Sequence, residues 1–394
     1  MPKTAADDHP LTRLVHAGSD PADQHGFVNT PVHRGSTILK PDLASWEAAN
    51  KPGYQGYSYG RCGNPNSVAF EAALADLYRA DVAVAVSSGL GAISTALLAT
   101  VRHGDHILVT DSVYGPCRRF CDGMLRQLGV ETDYFDPLIG GGIADLLRPN
   151  TRLIYLESPG SLTFEVQDVP AITAVARAHG ILSVIDNTWA TGLYFNPFDH
   201  GVDIVVEAIT KYVSGHSDLI MGAVLGRGGI AASLRQAALH LGQCVSPDDL
   251  FLAARGLRSL GVRLPRHQET GLALARWMQA RPEVETVLYP ALPEDPGHTL
   301  WQRDFTGASG LFGFRFRPAP EAAIAAFVDG LRLFGIGASW GGYESLIQPA
   351  HYLRSQTATP QTAGPLFRIH AGLEAVTDLI ADLEAGFERL RALL

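Results

Sequence analysis

Short apolar segments alternate with amphipathic segments between residues 81 and 206, and this alternation strongly limits the folds open to the chain. The strand-like segments are residues 81–86, 106–110, 152–157, 181–185 and 203–206, and helical patterns cover residues 90–101, 116–128 and 169–179. Strands that alternate with helices form βαβ units, which build a mostly parallel sheet with helices on both faces. Ligands bind such sheets at the carboxyl ends of the strands. The pattern therefore predicts an α/β, doubly wound fold with a site at that edge.

The length of the chain predicts more than one domain. A single hydrophobic core rarely extends over a chain as long as 394 residues. Residues 1–60 are rich in Pro, Gly, His and Asp with little periodicity, and we expect an N-terminal arm that lies on another surface, such as a second subunit. Residues 61–255 are expected to form the large domain. Residues 256–394, with a helical region at 264–281, a strand at 306–316 and a helical tail at 373–394, are expected to form a smaller α+β domain.

Composition and charge exclude several classes of partner. A hydrophobic content of 46% with 18% charged residues is typical of a globular protein with a large core. The net charge of −9 argues against nucleic acid and anionic membranes, which select basic patches. The first twenty residues show no targeting pattern and no segment is apolar enough to span a membrane, so a cytoplasmic location is expected.

The four cysteines are too few for a disulfide framework in a chain of this length. They are Cys62, Cys117, Cys121 and Cys244. No cysteine or histidine pair at zinc spacing accompanies them, so we expect free thiols and no metal site.

Lys211 is the residue that most directly indicates chemistry. The chain has four lysines against twenty-seven arginines, and Lys211 is the only lysine after residue 51. Because arginine supplies the surface charge, a single lysine among small and hydroxylated residues indicates a nucleophilic amine. Lysine can lose its proton and form a Schiff base with an aldehyde, which arginine cannot do. The alternative is an ordinary solvated lysine.

A loop of small residues follows the strand at residues 81–86. Its sequence is Ser87-Ser88-Gly89-Leu90-Gly91, and a helical pattern begins within it. Free N–H groups and a helix N-terminus at a strand end form an anion cradle suited to phosphate. Two alternatives remain: a purely structural turn, and a truncated dinucleotide fingerprint with Asp111 as the ribose ligand. The missing third glycine disfavours the fingerprint.

Asp186 ends the buried strand at residues 181–185. A buried aspartate without a partner is costly, so it is expected to face a cation. If the cofactor is pyridoxal phosphate, that cation is the protonated ring nitrogen. At about 4 Å and an effective dielectric constant near 20, this pair contributes roughly 4 kcal/mol, which keeps the ring protonated as an electron sink. The alternative is that Asp186 caps the following turn.

Several motifs occur together across about three hundred residues. They are Tyr59-Gly60-Arg61, Ser87-Ser88-Gly89, Tyr114, Glu157-Ser158-Pro159, Asp186-Asn187-Thr188, Thr210-Lys211, Ser214-Gly215-His216-Ser217-Asp218 and Ser339-Trp340-Gly341-Gly342-Tyr343-Glu344-Ser345. In this order they resemble the cysteine and methionine metabolism family of pyridoxal-phosphate-dependent enzymes. The resemblance covers nearly the whole chain. It implies a fold-type-I, aspartate-aminotransferase-like architecture and pyridoxal 5'-phosphate as the cofactor.

The resemblance also implies a role for each matching residue. The cofactor-binding set is Lys211, Asp186, Thr188, Gly89, Leu90, Thr210, Tyr114, Tyr59 and Arg61. Lys211 would hold the cofactor covalently, and Asp186 would pair with the pyridine nitrogen. The backbone N–H groups of Gly89 and Leu90 would bind the phosphate together with the hydroxyl of Thr210.

Three of these residues form the implied catalytic set, namely Lys211, Tyr114 and Tyr59. Tyr114 would stack on the ring of the cofactor. Tyr59 and Arg61 would reach the phosphate from the neighbouring subunit, and the resemblance also implies a homotetramer built from two tight dimers. One departure from the family is Ala208, where many relatives have a serine, so one phosphate contact would be missing.

The implied substrate-binding residues are Arg368, Ser339 and Trp340. Arg368 would hold the substrate α-carboxylate in a two-pronged pair, helped by Ser339. The alternative for Arg368 is a plain surface arginine. Trp340, where the γ-type enzymes usually have leucine, would narrow the pocket.

Within the family, residues 157–163, residues 303–307 and Trp340 resemble the bacterial β-lyase branch. The γ-type enzymes tend to have Asn-Pro where this chain has Ser161-Leu162. The resemblance implies a carbon–sulfur lyase of methionine biosynthesis that cleaves the Cβ–S bond of L-cystathionine to homocysteine, pyruvate and ammonia. Four alternatives remain: γ-synthase or γ-lyase chemistry, broader β-lyase or cysteine desulfhydrase activity, a nucleotide-binding oxidoreductase, and a catalytically silent regulator.

Overall fold

A computed structural model describes residues 8–51, 53–54, 56–356 and 364–394. The strands are β1 (Val82–Val86), β2 (His106–Thr110), β3 (Glu131–Phe135), β4 (Thr151–Glu157), β5 (Leu182–Asp186), β6 (Ile204–Glu207), β7 (Gly222–Gly226), β8 (Val284–Leu288), β9 (Leu311–Phe316), β10 (Gly335–Ile336), β11 (Leu346–Pro349) and β12 (Leu366–His370). The α-helices are α1 (Pro10–His16), α2 (Leu43–Ala49), α3 (Pro65–Tyr78), α4 (Gly89–Thr100), α5 (Gly115–Phe120), α6 (Val169–Ala178), α7 (Thr191–Tyr194), α8 (Ile230–His240), α9 (Pro247–Gln279), α10 (His298–Asp304), α11 (Glu321–Asp329) and α12 (Val376–Arg391). Among these residues, none of the helices has the length and apolar character needed to cross a membrane.

The larger sheet has seven strands in the order β1-β7-β6-β5-β4-β2-β3. The run from β3 through β6 is parallel, and β7 pairs antiparallel with both β6 and β1. The predicted α/β class and the mostly parallel sheet are confirmed. The pattern analysis did not identify β7, whose short sequence Gly-Ala-Val-Leu-Gly has small residues and glycines at both ends.

The central strands are apolar because both faces of the sheet are covered. On β2, Leu108 belongs to the core on one face, while Ile107 and Val109 belong to the core on the other. This alternation follows from the period of two residues along a strand. Burial of both faces fixes the register, so the ends of the strands are held in place.

The smaller sheet has five strands in the order β10-β11-β12-β9-β8. The predicted strand at 306–316 begins at Leu311, and the predicted helix at 264–281 is the second half of the 33-residue helix α9. The expected domain boundary at residue 255 falls inside α9, which packs on α3 and on strands β8 and β9 of the smaller sheet. The division into arm, large domain and small domain therefore stays a prediction.

The carboxyl ends of the parallel strands place acidic residues side by side. Glu157 ends β4 and Asp186 ends β5, and the two residues are paired in register. Glu207 ends β6, the next strand. The smaller sheet lies beyond this edge and brings Arg368 of β12 toward it.

Candidate active site

A cavity of about 1020 Å³ lies between this edge and the smaller sheet. Ten of the predicted site residues line it: Gly89, Leu90, Tyr114, Asp186, Thr188, Thr210, Lys211, Ser339, Trp340 and Arg368. These residues come from segments that are far apart in the sequence. Convergence of an amine, a carboxylate, a helix N-terminus and a guanidinium on one cavity is typical of an active site.

Lys211 lies in the short segment between β6 and β7, at the wall of the cavity. Its Nζ donates a hydrogen bond to Oγ of Ser339 at 2.6 Å and lies 5.4 Å from the ring centre of Trp340. Burial, with a smaller contribution from the charge of Arg368, lowers the pKa of Lys211 from 10.5 to about 8, while Asp186 opposes the shift. About a tenth of this amine is therefore neutral and nucleophilic at pH 7.

Asp186 is held in one orientation by Thr188. Its Oδ1 accepts hydrogen bonds from the backbone N–H of Thr188 at 3.0 Å and from the Thr188 hydroxyl at 2.6 Å. The same hydroxyl accepts the backbone N–H of Ala208 at 2.9 Å, so it links the end of β5 to the segment before Lys211. Burial raises the pKa of Asp186, and the hydrogen bonds from Thr188 and the charge of Lys211 oppose this. A cation in the cavity would stabilise the ionised form.

Two further carboxylates flank Asp186, and the sequence analysis assigned a role to neither. Oε2 of Glu157 accepts the backbone N–H of Tyr114 at 2.7 Å, and burial followed by the charge of Asp186 raises the pKa of Glu157 well above its usual value. Glu207 is buried and accepts a hydrogen bond from the Tyr78 hydroxyl. The signal that identifies both is their position at the ends of strands adjacent to β5.

The N-terminus of α4 forms the predicted anion cradle. Oγ of Ser88 caps the helix by accepting the N–H of Gly91 at 2.9 Å. A Cβ atom on Gly89 would lie 2.8 Å from Cβ of Ala208, so only glycine fits the loop at this position. The N–H groups of the first turn of a helix have no partners within the helix and are suited to bind an anion.

Thr210, the other predicted phosphate ligand, already makes hydrogen bonds within the chain. The hydroxyl of Thr210 donates to the carbonyl of Met221 at 3.1 Å and accepts the N–H of Met221 at 2.9 Å. A hydrogen bond from this hydroxyl to the phosphate would therefore be made in addition to the bonds with Met221 or would replace one of them.

Arg368 and Ser339 form a unit on the opposite side of the cavity. Nη2 of Arg368 donates to the backbone carbonyl of Ser339 at 2.8 Å, and burial lowers the pKa of Arg368 to about 10. Ser339 has φ of 88°, a left-handed conformation that is unfavourable for residues other than glycine. This conformation lets the hydroxyl of Ser339 contact Lys211 while its carbonyl contacts Arg368.

Two of the aromatic residues that line the cavity, Tyr114 and Trp340, were predicted as site residues. Tyr114 precedes α5 and its side chain is partly exposed in the cavity. The ring of Trp340 packs on Tyr212 with centroids 5.3 Å apart. Both rings are placed to border a planar ligand.

Tyr59 and Arg61 do not border the cavity of their own chain. The side chain of Tyr59 is 48% exposed, and Nη1 of Arg61 donates to the carbonyl of Leu239 at 3.1 Å. The roles that the sequence analysis gave them across a subunit interface stay predictions.

Asp111, the ribose ligand of the oxidoreductase alternative, has a different set of partners. It is buried and accepts hydrogen bonds from Nη2 of Arg118 at 2.5 Å, from the N–H and hydroxyl of Ser355 and from the N–H of Gln356. Through these hydrogen bonds Asp111, which follows β2 of the larger sheet, holds the segment that follows β11 of the smaller sheet. Among the described residues, no three acidic, histidine or cysteine side chains come together to hold a metal.

The sheet, the anion cradle and the facing amine and carboxylate define a cofactor-dependent α/β enzyme. The family model described as Cys/Met metabolism PLP-dependent enzyme matches residues 11–388. The chain belongs to this family, and its cofactor is pyridoxal 5'-phosphate. The donor set fits the cofactor, because the glycine-lined cradle, Asp186 and Lys211 match its phosphate, its ring nitrogen and its aldehyde.

Curated relatives and a solved structure support the same assignment. The chain is 49% identical over 380 residues to a putative cystathionine beta-lyase of Rhizobium johnstonii, with 95% of each chain covered. It is 42% identical over 388 residues to a cystathionine beta-lyase of Escherichia coli, covering 96% of this chain and 98% of the relative. A crystal structure of cystathionine gamma synthase from Xanthomonas oryzae pv. oryzae, in complex with aminoacrylate and cysteine, has a TM-score of 0.90 at 32% identity and covers 98% of this chain and 100% of that chain.

Proposed function

We propose that the protein cleaves the Cβ–S bond of L-cystathionine by α,β-elimination. One molecule of L-cystathionine and one of water give L-homocysteine, pyruvate and ammonia. The observation that carries the proposal is the position of the Lys211 amine, which contacts Ser339 in the cavity that Asp186 and Arg368 also line. The names of the two relatives above, both cystathionine beta-lyases, support the choice of substrate.

Three parts of the chain would hold the cofactor. The N–H groups of Gly89 and Leu90 would bind its phosphate, Asp186 would pair with its ring nitrogen, and Lys211 would hold its aldehyde carbon. When bound, the cofactor supplies an electron sink for the electron pair that the broken Cα–H bond leaves behind.

The remaining steps fall to side chains of the cavity. Arg368 binds the substrate α-carboxylate, and its contact with the Ser339 carbonyl fixes the guanidinium plane. Nζ of Lys211 would remove the proton from Cα as a general base. Its lowered pKa of about 8 suits this task near neutral pH. The electron pair forms the Cα–Cβ double bond as the Cβ–S bond breaks, and the sulfur leaves with both bonding electrons and takes up a proton. Water then releases pyruvate and ammonia.

Trp340 favours β-elimination over γ-chemistry. A γ-type enzyme must also remove a proton from Cβ, which requires a base with access to that carbon. The Trp340 ring lies close to Nζ of Lys211 and is packed against Tyr212, so it limits the movement of the amine along the substrate.

Product analysis tests the proposal. Purified holoenzyme incubated with L-cystathionine is expected to give pyruvate and homocysteine in equal amounts, and Lys211→Ala is expected to give neither. Formation of 2-oxobutyrate and cysteine would refute the β-elimination and point to a γ-lyase. Parallel incubations with L-cysteine and L-methionine measure the broader activities.

We also propose that Tyr59 and Arg61 complete the cavity of a neighbouring subunit in a homotetramer. In support, neither residue borders the cavity of its own chain. Large apolar side chains of the N-terminal arm are exposed, including Leu39 at 87%, Leu43 at 71% and Trp46 at 55%. An exposed apolar set of this kind indicates a protein interface.

Mixed oligomers provide the test of shared sites. Arg61→Ala and Lys211→Ala are each expected to be inactive. When the two variants are unfolded and refolded together, hybrid dimers carry one intact site, and about a quarter of wild-type activity is expected. No recovery of activity would overturn the shared site, and light scattering that shows an active monomer would overturn the tetramer.

A further inference from the structure

The segment between β11 and β12 leaves the smaller sheet and contacts the larger one. The N–H and hydroxyl of Ser355 both lie 2.9 Å from carboxylate oxygens of Asp111, and the N–H of Gln356 lies 2.8 Å from one of them. Asp111 directly follows β2 of the larger sheet. This segment therefore connects the smaller sheet to the carboxyl end of β2 in the larger sheet.

Arg354, one residue before Ser355, makes a second anchor. Its Nη2 donates to the hydroxyl of Thr163 and to Oε1 of Glu165, both at 2.5 Å. The Arg354 side chain is only 5% exposed. Among the described residues, its Nη1 and Oε2 of Glu165 are buried without a hydrogen-bond partner.

The residues that Arg354 contacts belong to a strained turn. Leu162 has φ of 66° and Phe164 has φ of 60°. The left-handed conformation is unfavourable for residues other than glycine, and it persists only where the surroundings hold it. Within the turn, Phe164 N–H donates to Gly160 O at 3.0 Å. Arg354 adds contacts to Thr163 and Glu165, the residues on either side of Phe164.

The same turn forms a wall of the substrate cavity beside Arg368. Gly160, Ser161, Leu162 and Phe164 all line the cavity. A Cβ atom on Gly313 would lie 3.1 Å from the Phe164 ring and 3.4 Å from the Leu162 carbonyl. Gly313 pairs with Arg368 across β9 and β12. The turn therefore packs directly on the strand next to the proposed carboxylate-binding arginine.

We propose that Arg354 is a positioning residue for substrate capture. By holding Thr163 and Glu165, it keeps the 160–165 turn in the conformation that shapes the wall beside Arg368. Arg354 does not line the cavity and acts through the turn. The proposal rests on the proposed function, because it assigns the turn to the binding of the sulfur amino acid.

Steady-state kinetics of Arg354→Met separate positioning from a merely structural role. If Arg354 holds the 160–165 turn in place, KM for L-cystathionine rises about tenfold, because a displaced turn weakens substrate binding. The kcat stays within about twofold, because Lys211 is unaffected. If Arg354 only stabilises the fold, kcat falls with the fraction of folded enzyme and KM is unchanged, which would overturn the proposal.

Arg13→Met is the matched control. Arg13 has a side chain only 8% exposed and an ion pair with Asp76 at 3.1 Å, and it lies outside the cavity. We expect its loss to lower the melting temperature without changing KM. A rise in KM in this variant equal to that of Arg354→Met would overturn the specific role of Arg354.

Two further measurements keep the test independent of folding and of the substrate assignment. The double variant Arg354→Met/Glu165→Gln leaves no unpaired buried charge, so it is expected to fold even where the single variant does not, and still to show the raised KM. In the apo-protein, amide hydrogen exchange of Gly160 and Phe164 is expected to be at least tenfold faster in Arg354→Met than in the wild type. An unchanged rate of amide hydrogen exchange at these two residues would overturn the role of Arg354, whatever products the wild type forms. Unexpected wild-type products would overturn only the proposed reaction.

Discussion

At the scale of single residues, the acidic edge of the sheet and the lysine opposite it set the chemistry of the cavity. Asp186 lies on the central strand of this edge, and its Thr188 contacts favour the ionised form. Glu207 lies on the adjacent strand, where its burial and the charge of Asp186 both favour a protonated acid. Burial also raises the pKa of Glu157 on the other neighbouring strand, so one ionised carboxylate rather than three is expected at this edge of the sheet.

The pKa of Lys211 predicts how cofactor uptake depends on pH. Only the neutral amine attacks an aldehyde, and burial lowers the pKa of Lys211 to about 8. The rate at which apo-protein takes up pyridoxal phosphate is expected to rise about tenfold per pH unit below pH 8 and to level off above it. Stopped-flow absorbance measures this rate. A rate that stays constant between pH 6 and pH 8 contradicts the assignment of the amine.

Glu207 predicts a pH-dependent stability. Burial and the charge of Asp186 raise its pKa from 4.5 to about 8, although the hydrogen bond from Tyr78 opposes this. Between these two pH values the unfolded chain ionises Glu207 and the folded chain does not, so this residue destabilises the fold increasingly as pH rises. Glu207→Gln is therefore expected to be more stable than the wild type at pH 8, by at most about 5 kcal/mol, and equally stable near pH 4.5.

Thermal unfolding of the apo-protein across this pH range measures the difference. The exposed Glu321→Gln serves as the control, for which no growth of the difference with pH is expected. A Glu207→Gln variant whose melting temperature follows that of the wild type at every pH would show that Glu207 is ionised in the folded protein.

At the scale of elements, the junction of β1 and α4 determines how closely a phosphate at the proposed cradle would approach the backbone. Gly89 is the first residue of α4, and Gly222 is the first residue of β7. A Cβ atom on Gly222 would lie 2.2 Å from the carbonyl of Ser88. The cradle is thus packed against a neighbouring strand with no room for a methyl group.

Gly89→Ala tests this packing. The added Cβ would lie 2.8 Å from that of Ala208, so the loop must shift and its N–H groups lose their alignment. The dissociation constant for pyridoxal phosphate is expected to rise at least about tenfold. Equilibrium dialysis measures this constant. Gly123→Ala is the control, because a Cβ atom there meets nothing within 4 Å. Equal affinities in both variants would count against the cradle.

Elements with a strong local pattern could be predicted from the sequence. The strand that ends at Asp186 and the loop at Gly89 carry their signal in neighbouring residues, as does the isolated Lys211. Arg354 and Asp111 could not be connected in this way, because their partners lie 189 and 244 residues away in the chain. The left-handed conformation of Ser339 also depends on tertiary contacts rather than on local propensity.

At the scale of the whole molecule, one hydrophobic core joins the two sheets. Leu108 of the larger sheet, Leu264 of α9 and Phe314 of the smaller sheet belong to the same cluster of buried side chains. A continuous core couples the unfolding of the parts that share it.

Calorimetry tests this coupling. The apo-protein is expected to unfold in a single transition, because separating the sheets exposes the core around α9. Two resolved transitions, of which only one is sensitive to Leu264→Ala, would show that the sheets unfold independently.

The length of helix α9 and the proline near its middle together allow one end of the helix to move relative to the other. Its 33 residues span about 50 Å, from Asp249 at the cavity to the strands of the smaller sheet. Pro265 interrupts the hydrogen bonding near its middle, which is where a helix axis bends most readily. A bend of about 5° there displaces either end of the helix by roughly 2 Å. Such a bend would shift the cavity end of α9 relative to the smaller sheet without any rearrangement of the parallel strands.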